Sequence, residues 1–247
     1  MDTKLLKYTI NTYFCWYKKD GRMEKKYYAI IVAGGSGVRM GGNVAKQFLE
    51  LGGRPVIATT VERFLSLSFP VEIILVLPAE YKDYWKNYCF ENSLNFRHTL
   101  VSGGLTRFHS VKNALKHVER GGLVAVHDGV RPFINREFIE ELYEAAGRED
   151  AVIPVLAPSD SMRVIDKNGV STVTERDKYL LVQTPQVFLS DTLLDAYGQA
   201  YSPAFTDDAS VVESMGVKIH LAQGKVTNIK LTKPEDMLLA KAILNVF

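Results

Sequence analysis

The chain has 247 residues, 47% hydrophobic and 23% charged, enough for one large α/β domain or one domain with an appendage. With 30 Lys and Arg against 28 Asp and Glu the net charge is only +2, which argues against a nucleic-acid footprint, and no apolar run approaches the roughly 20 residues of a membrane span. Two cysteines, Cys15 and Cys89, are too few for a disulfide framework and have no metal-ligand spacing, so a reducing cytoplasm is the expected compartment.

Residues 1–22 differ in texture from the rest. Scattered lysines and aromatics are interrupted by Thr9, Asn11 and Thr12, which leaves no apolar core of signal-peptide length. This stretch is expected to be a leader outside the fold, and residues 23–247 the domain. Met23 stands just ahead of the first strand, with Glu24, Lys25 and Lys26 as a solvated lead-in.

Tyr28 to Ala33 is a short apolar run with β-branched residues and reads as a buried strand. It runs into Gly34-Gly35-Ser36-Gly37-Val38-Arg39-Met40, where missing side chains would let backbone N–H groups close on an anion. Arg39 and Lys46 then supply a planar fork and a point charge, suited to a triphosphate and to charge building up at its α-phosphorus. The stretch is neither a Walker A loop nor a dinucleotide fingerprint. Asn43 stands where the first needs lysine, and Met40 where the second needs glycine.

Strand-like and helix-like segments alternate from there, the pattern of a mainly parallel sheet covered on both faces. Further strands are expected at Val71–Leu77, Arg97–Val101, Leu123–His127 and Ala151–Val155. Amphipathic helices are expected at Pro55–Leu67, Ala79–Asn92, Thr106–Val118 and Asn135–Gly147, with Pro55 in a first turn and Thr106 and Asn135 as caps. Between Ser159 and Gln183 the pattern becomes a hairpin around Asn168-Gly169, which needs a surface to pack on. Helices from Asp191, around Ala209–Met215 and from Pro234, with strands at Lys218–Leu221 and Asn228–Leu231, complete the chain. The expected architecture is a three-layer α/β/α sandwich with a mainly parallel, Rossmann-like sheet and an inserted β-hairpin arm over about residues 156–183.

Polar clusters fall where the strands end, the place where open α/β sheets bind ligands. Gly103-Gly104 precedes a helix start at Thr106 and could read a base edge or hold an anion. In His127-Asp128-Gly129-Val130-Arg131-Pro132, Asp128 could hold Mg²⁺ against substrate phosphates or pair with Arg131, and His127 reads as a hydrogen-bonded core residue. Lys230, flanked by Ile229 and Leu231, should point away from them, into a cleft or into solvent.

These clusters, in this order, resemble the 2-C-methyl-D-erythritol 4-phosphate cytidylyltransferases of non-mevalonate isoprenoid synthesis. The resemblance is carried by Ala33 to Met40 with Lys46-Gln47, Gly103-Gly104 with Arg107 and Ser110, His127 to Pro132, Thr184-Pro185-Gln186, Thr206-Asp207 and Asn228 to Thr232. It runs from about Tyr28 to the C-terminus. It implies in-line attack of the sugar phosphate on the α-phosphorus of CTP, release of pyrophosphate, and Mg²⁺ as the metal. Residues matching Arg39 and Lys46 stabilise the transition state in that family, and those matching Arg176 and Lys230 position the sugar phosphate. Ala33, Gly34, Gly35, Gly104, Ser110 and Gly129 match the CTP site. Arg131, Ser161, Thr184 and Thr206 match the sugar-phosphate site, and Asp128 lies near the metal. The family is a homodimer whose arm crosses to the neighbouring site, which would put Ser161 and Arg176 into the partner's cleft.

Three positions depart from the pattern: Gly34 for a common alanine, Leu105 for an acidic residue, and Ser161 for threonine. The alternatives are a ribitol-5-phosphate cytidylyltransferase, which shares several motifs, and a non-catalytic nucleotide sensor, which would not need Arg39, Lys46, Arg176 and Lys230 together. A dinucleotide-dependent oxidoreductase is disfavoured by the failed fingerprint.

Overall fold

The computed structural model of the chain describes residues 17–19, 22–34, 45–94 and 96–245. In chain order the elements are β1 (Tyr17–Lys19), β2 (Arg22–Glu24), β3 (Lys26–Val32), β4 (Glu50–Leu51), β5 (Arg54–Pro55), α1 (Val56–Leu65), β6 (Glu72–Leu77) and α2 (Lys82–Glu91). Then follow β7 (His98–Ser102), α3 (Arg107–Ala114), β8 (Gly122–Asp128), α4 (Arg136–Glu149) and β9 (Ala151–Leu156). The arm strands β10 (Arg163–Ile165) and β11 (Ser171–Val173) lead to β12 (Leu181–Val182), β13 (Gln186–Leu189) and α5 (Ser190–Ala196). The chain finishes with α6 (Asp208–Glu213), β14 (His220–Gln223) and α7 (Pro234–Leu244).

The central sheet is buried on both faces, so alternate residues of each strand feed two cores. In β3, Ala29 and Ile31 join one core, and Tyr28 and Ile30 the other. Ile57, Val61 and Phe64 of α1 and Phe138, Ile139 and Leu142 of α4 close the first. Phe108 and Val111 of α3, Leu193 of α5 and Val211 of α6 close the second. Two helical layers around one sheet make the expected three-layer sandwich. Tyr143 ties a layer to the sheet through its hydroxyl, which donates to the Tyr28 carbonyl at 2.7 Å.

Strands β7, β6, β3 and β8 are mutually parallel neighbours. Next to β8 lies β13, antiparallel to both β8 and β9, a strand absent from the sequence reading. Its Gln186, Val187, Phe188 and Leu189 are all buried. Pro185 and Ser190 bound an apolar run too short to stand out in a window. Asn228–Leu231 corrects the reading in the other direction: it belongs to no sheet and is held through the Leu231 N–H, which donates to the Val130 carbonyl at 3.0 Å. Leu231 is nonetheless buried while Lys230 faces the site, so the expected sidedness holds without a strand.

Two helix caps follow the sequence reading, whereas Pro55 ends β5 and stands just before α1 instead of in its first turn. Asn135 accepts the Phe138 N–H at 3.2 Å, and Thr106 accepts the His109 N–H at 3.4 Å. Among the described residues, the arm is a hairpin of β10 and β11 paired with each other alone. Asp166 organises its turn: Oδ1 accepts the N–H of Asn168 at 2.8 Å and of Val170 at 2.9 Å. Gly169 adopts φ +82°, a conformation side chains rarely allow. Strands β1 and β2 likewise pair only with each other.

Candidate active site

Four parallel strands deliver their carboxyl ends to one edge of the sheet. Past the end of β3, the Ala33 N–H donates to the Val76 carbonyl at 2.9 Å, and past β7 the Gly103 N–H donates to the Leu77 carbonyl at 2.8 Å. These ladder bonds carry the Ala33-Gly34 and Gly103-Gly104 turns side by side. The second turn is held by Ser110, whose hydroxyl accepts the Gly104 N–H and donates to the Thr106 carbonyl, both at 3.0 Å. A β-carbon on Gly104 would lie 2.5 Å from that of His109, so the turn excludes every other residue.

Strand β8 delivers Asp128, buried among cations. Its Oδ2 receives Lys230 Nζ at 2.9 Å and Arg131 Nε at 3.3 Å, and its Oδ1 faces Arg107 Nε at 3.7 Å, beyond hydrogen-bonding distance. Burial alone would favour the protonated acid, but the three cations outweigh it and hold the carboxyl well below the ordinary range. Arg131 also donates to the Asn228 carbonyl at 2.7 Å. Of the two roles open to Arg131, the pairing with Asp128 is formed.

Beneath Asp128, His127 is fully buried. Burial lowers its pKa to about 4, so the ring is neutral near pH 7. Its Nε2 lies 3.0 Å from the Arg131 carbonyl and must carry the proton, leaving Nδ1 to accept from the Thr184 hydroxyl at 3.0 Å. That hydroxyl in turn accepts the Asp128 N–H at 3.0 Å. His127 is thus the hydrogen-bonded core residue expected of it.

Two clefts meet at this carboxylate. The first, about 290 Å³, is lined by Ala33, Gly34, Lys46, Gln47, Gly104, Leu105, Arg107 and Ser110. The second, about 270 Å³, is lined by Arg131, Gln183, Thr184, Gln186, Thr206 and Asp207. Arg107, Asp128 and Lys230 line both. The structure therefore gathers Ala33, Gly34, Lys46, Gly104, Ser110, Asp128, Arg131, Thr184, Thr206 and Lys230. Gly129 lines neither cleft, since its N–H donates to the Val32 carbonyl and its carbonyl accepts the Thr60 hydroxyl. Gly35 and Arg39 lie outside the described residues. Ser161 and Arg176 stand on the exposed arm, away from both clefts, with Arg176 donating to the Ser159 carbonyl at 2.9 Å.

Three residues of the site had no role assigned from the sequence, although Gln47 and Arg107 stand among the motif residues. Arg107 forms the partition between the clefts and is locked to Asp208, 101 positions away in sequence, at 2.6 Å. Asp208 is itself fully buried. Gln47, also buried, donates to the Ala33 carbonyl at 3.0 Å and ties the Lys46 turn to the end of β3. No motif spacing links these positions. Among the described residues no three His, Cys, Asp or Glu side chains converge as a protein cage for a metal. A lone carboxylate with one oxygen free of hydrogen bonds does fit a cation bound mostly through phosphates.

A family model for 2-C-methyl-D-erythritol 4-phosphate cytidylyltransferase matches residues 27–246. The chain belongs to this family.

Family members of that name from Bacteroides thetaiotaomicron and Phocaeicola vulgatus are 51% and 52% identical to it, over 89% and 88% of the chain and 100% and 99% of their own lengths. A solved 4-diphosphocytidyl-2C-methyl-D-erythritol synthase from Anaerococcus prevotii superposes with a TM-score of 0.76 at 30% identity, covering 90% of this chain and 96% of that one. The Thermus thermophilus cytidylyltransferase superposes at 0.69 with 28% identity, over 90% of this chain and 100% of the other. As a cytidylyltransferase family member the chain is a nucleotidyltransferase, with the α/β fold of its solved relatives. Among its described residues no helix is long and apolar enough to cross a membrane.

Proposed function

We propose that this chain transfers CMP from CTP to 2-C-methyl-D-erythritol 4-phosphate in the cytoplasm, giving 4-CDP-2-C-methyl-D-erythritol and pyrophosphate. One observation carries the reading: two clefts, one rimmed by backbone turns and one by hydroxyls and an arginine, meet at a carboxylate ringed by Lys230, Arg107 and Arg131. The Ala33-Gly34 and Gly103-Gly104 turns suit a nucleotide. Arg131, Thr184 and Thr206 suit the sugar phosphate.

An oxygen of the acceptor phosphate attacks the α-phosphorus of CTP as the bond to the β-phosphate bridging oxygen breaks, and the electron pair leaves with pyrophosphate. The attacking phosphate is already anionic, so no general base is required, and His127, neutral and internally bonded, serves to hold Asp128 and Thr184 in place. The work of the protein is positioning and charge stabilisation. Lys46 and Arg39 neutralise charge on the transferring group, while Lys230 orients the attacking phosphate. Asp128 and the phosphates of CTP would hold Mg²⁺, which when bound neutralises the triphosphate.

The arm completes the assembly as a homodimer. Ile165 and Val173 are 68% and 80% exposed on a hairpin that pairs with no other strand among the described residues, a state a two-fold interface would relieve. Ser161 and Arg176 would then enter the partner's cleft. Incubating the enzyme with CTP, Mg²⁺ and either 2-C-methyl-D-erythritol 4-phosphate or ribitol 5-phosphate tests the reading. Rapid pyrophosphate release is expected with the first. A preference for ribitol 5-phosphate, or CTP binding without turnover, would overturn it.

A further inference from the structure

The two oxygens of Asp128 are treated unequally. Oδ2 is held by Lys230 and Arg131, whereas Oδ1 accepts no hydrogen bond from the described residues. Arg107 Nε faces it but stops at 3.7 Å, while the same guanidinium is bonded to Asp208 at 2.6 Å. Asp208 has no freedom to follow Arg107. It is fully buried, and its other oxygen accepts the Tyr197 hydroxyl at 2.6 Å. The start of α6 that carries it is fixed as well. Gln186 donates to Asp207 Oδ2 at 2.7 Å and accepts the Ala209 N–H at 2.9 Å, and Asp207 caps the helix through the Ser210 N–H at 2.9 Å.

A guanidinium between two carboxylates settles near the one that offers the better bond. Without Asp208, Arg107 would be left with Asp128 as its only anionic neighbour among the described residues, and the vacant acceptor there is Oδ1. We propose that Asp208 is a positioning residue that tethers Arg107 away from Asp128 Oδ1 and so keeps that oxygen available to a divalent cation. This rests on the cytidylyltransferase reading. It assigns a role in metal loading to Asp208 and Tyr197, which line neither cleft, with Gln186 fixing the helix start that carries Asp208.

The test is Mn²⁺ binding to the full-length enzyme with a non-hydrolysable CTP analogue, followed by electron paramagnetic resonance. Asp208→Asn keeps the shape and the tyrosine bond but loses the charge. It is expected to weaken Mn²⁺ binding about tenfold, the effect of one competing charge-assisted hydrogen bond, and to raise the Mg²⁺ needed for half-maximal turnover in parallel. Adding Arg107→Gln to Asp208→Asn removes the competing cation and should restore Mn²⁺ affinity, whereas damage to packing would not be repaired. Should Asp208→Asn fail to fold, Tyr197→Phe loosens the same tether and is expected to shift Mn²⁺ binding by a smaller factor in the same direction. Unchanged Mn²⁺ affinity in the folded single variant, no recovery in the double variant, or a wild-type complex that binds no Mn²⁺ would each overturn the proposal. Normal Mn²⁺ behaviour without turnover of methylerythritol phosphate would overturn the acceptor assignment alone.

Discussion

At the scale of single residues, the site separates charge that reacts from charge that holds. Lys46 lines the nucleotide cleft, where a cation bears on the charge of a triphosphate, so its removal is expected to affect the transition state more than the fold. Lys46→Ala is expected to lower kcat by on the order of a hundred- to a thousandfold while CTP affinity changes much less, as steady-state kinetics and calorimetry can check. A loss confined to KM would mean that Lys46 only binds. His127 gives a second expectation, in stability. Its pKa falls from 6.5 to about 4 on folding, so the unfolded chain binds the extra proton between those values. The neutral ring contributes fully above pH 6.5, and about 3 kcal/mol is lost as the pH falls towards 4. Denaturation midpoints should therefore drop steeply over that window and less so in His127→Gln. A residual slope remains in that variant because burial lowers the pKa of His98 too. Asp128 is depressed further, and its contribution is lost only below the ordinary carboxylate range.

At the scale of elements, Gln186 joins a sheet strand to a helix start. Gln186→Met, of similar size, deletes both bonds to α6 and leaves Asp207 with one partner fewer. Urea unfolding should show a loss of about 1–3 kcal/mol, with a raised KM for the acceptor because Thr206 adjoins the displaced turn. The same junction shows how far sequence could be read. Parallel strands of Val, Ile and Leu announced themselves, as did Thr106 and Asn135, because each signal is local and recurs in a short window. The turn at Gly169 was equally legible, since its backbone conformation needs that residue. Strand β13 was not, because Val187, Phe188 and Leu189 form an apolar run of only three. Lys230 was placed on the right side for a reason that failed, as sidedness came from Leu231 packing under Val130 and not from pairing in a sheet. Arg107 stood among the motif residues, but its pairing with Asp208 could not be read, for two residues 101 apart meet only once the chain is folded.

At the scale of the whole molecule, the arm and the leader give opposite expectations. If Arg176 serves the neighbouring subunit, Arg176→Ala and Lys46→Ala are each nearly inactive alone. Mixed and allowed to exchange subunits, they should recover about a quarter of wild-type activity, because half the dimers are mixed and one site in each of those is intact. No recovery after confirmed exchange would place Arg176 in its own subunit's site. The leader should be dispensable. Among the described residues strands β1 and β2 join no other strand, and the family match begins at residue 27. A chain starting at Met23 is expected to keep the melting temperature and turnover of the full one, and a clear fall in either would show that residues 1–22 support the domain.

The roots of the arm stand close to the reacting centre. Leu181, where the chain returns from the hairpin, pairs with Leu156, where it departs, and three residues later the Thr184 hydroxyl holds the Asp128 N–H at 3.0 Å. The arm is thus joined to the backbone of the carboxylate through one short strand and one hydrogen bond. If two subunits pair through their arms, a compound that levered those arms apart is expected to silence the enzyme from outside the clefts, without having to imitate a triphosphate.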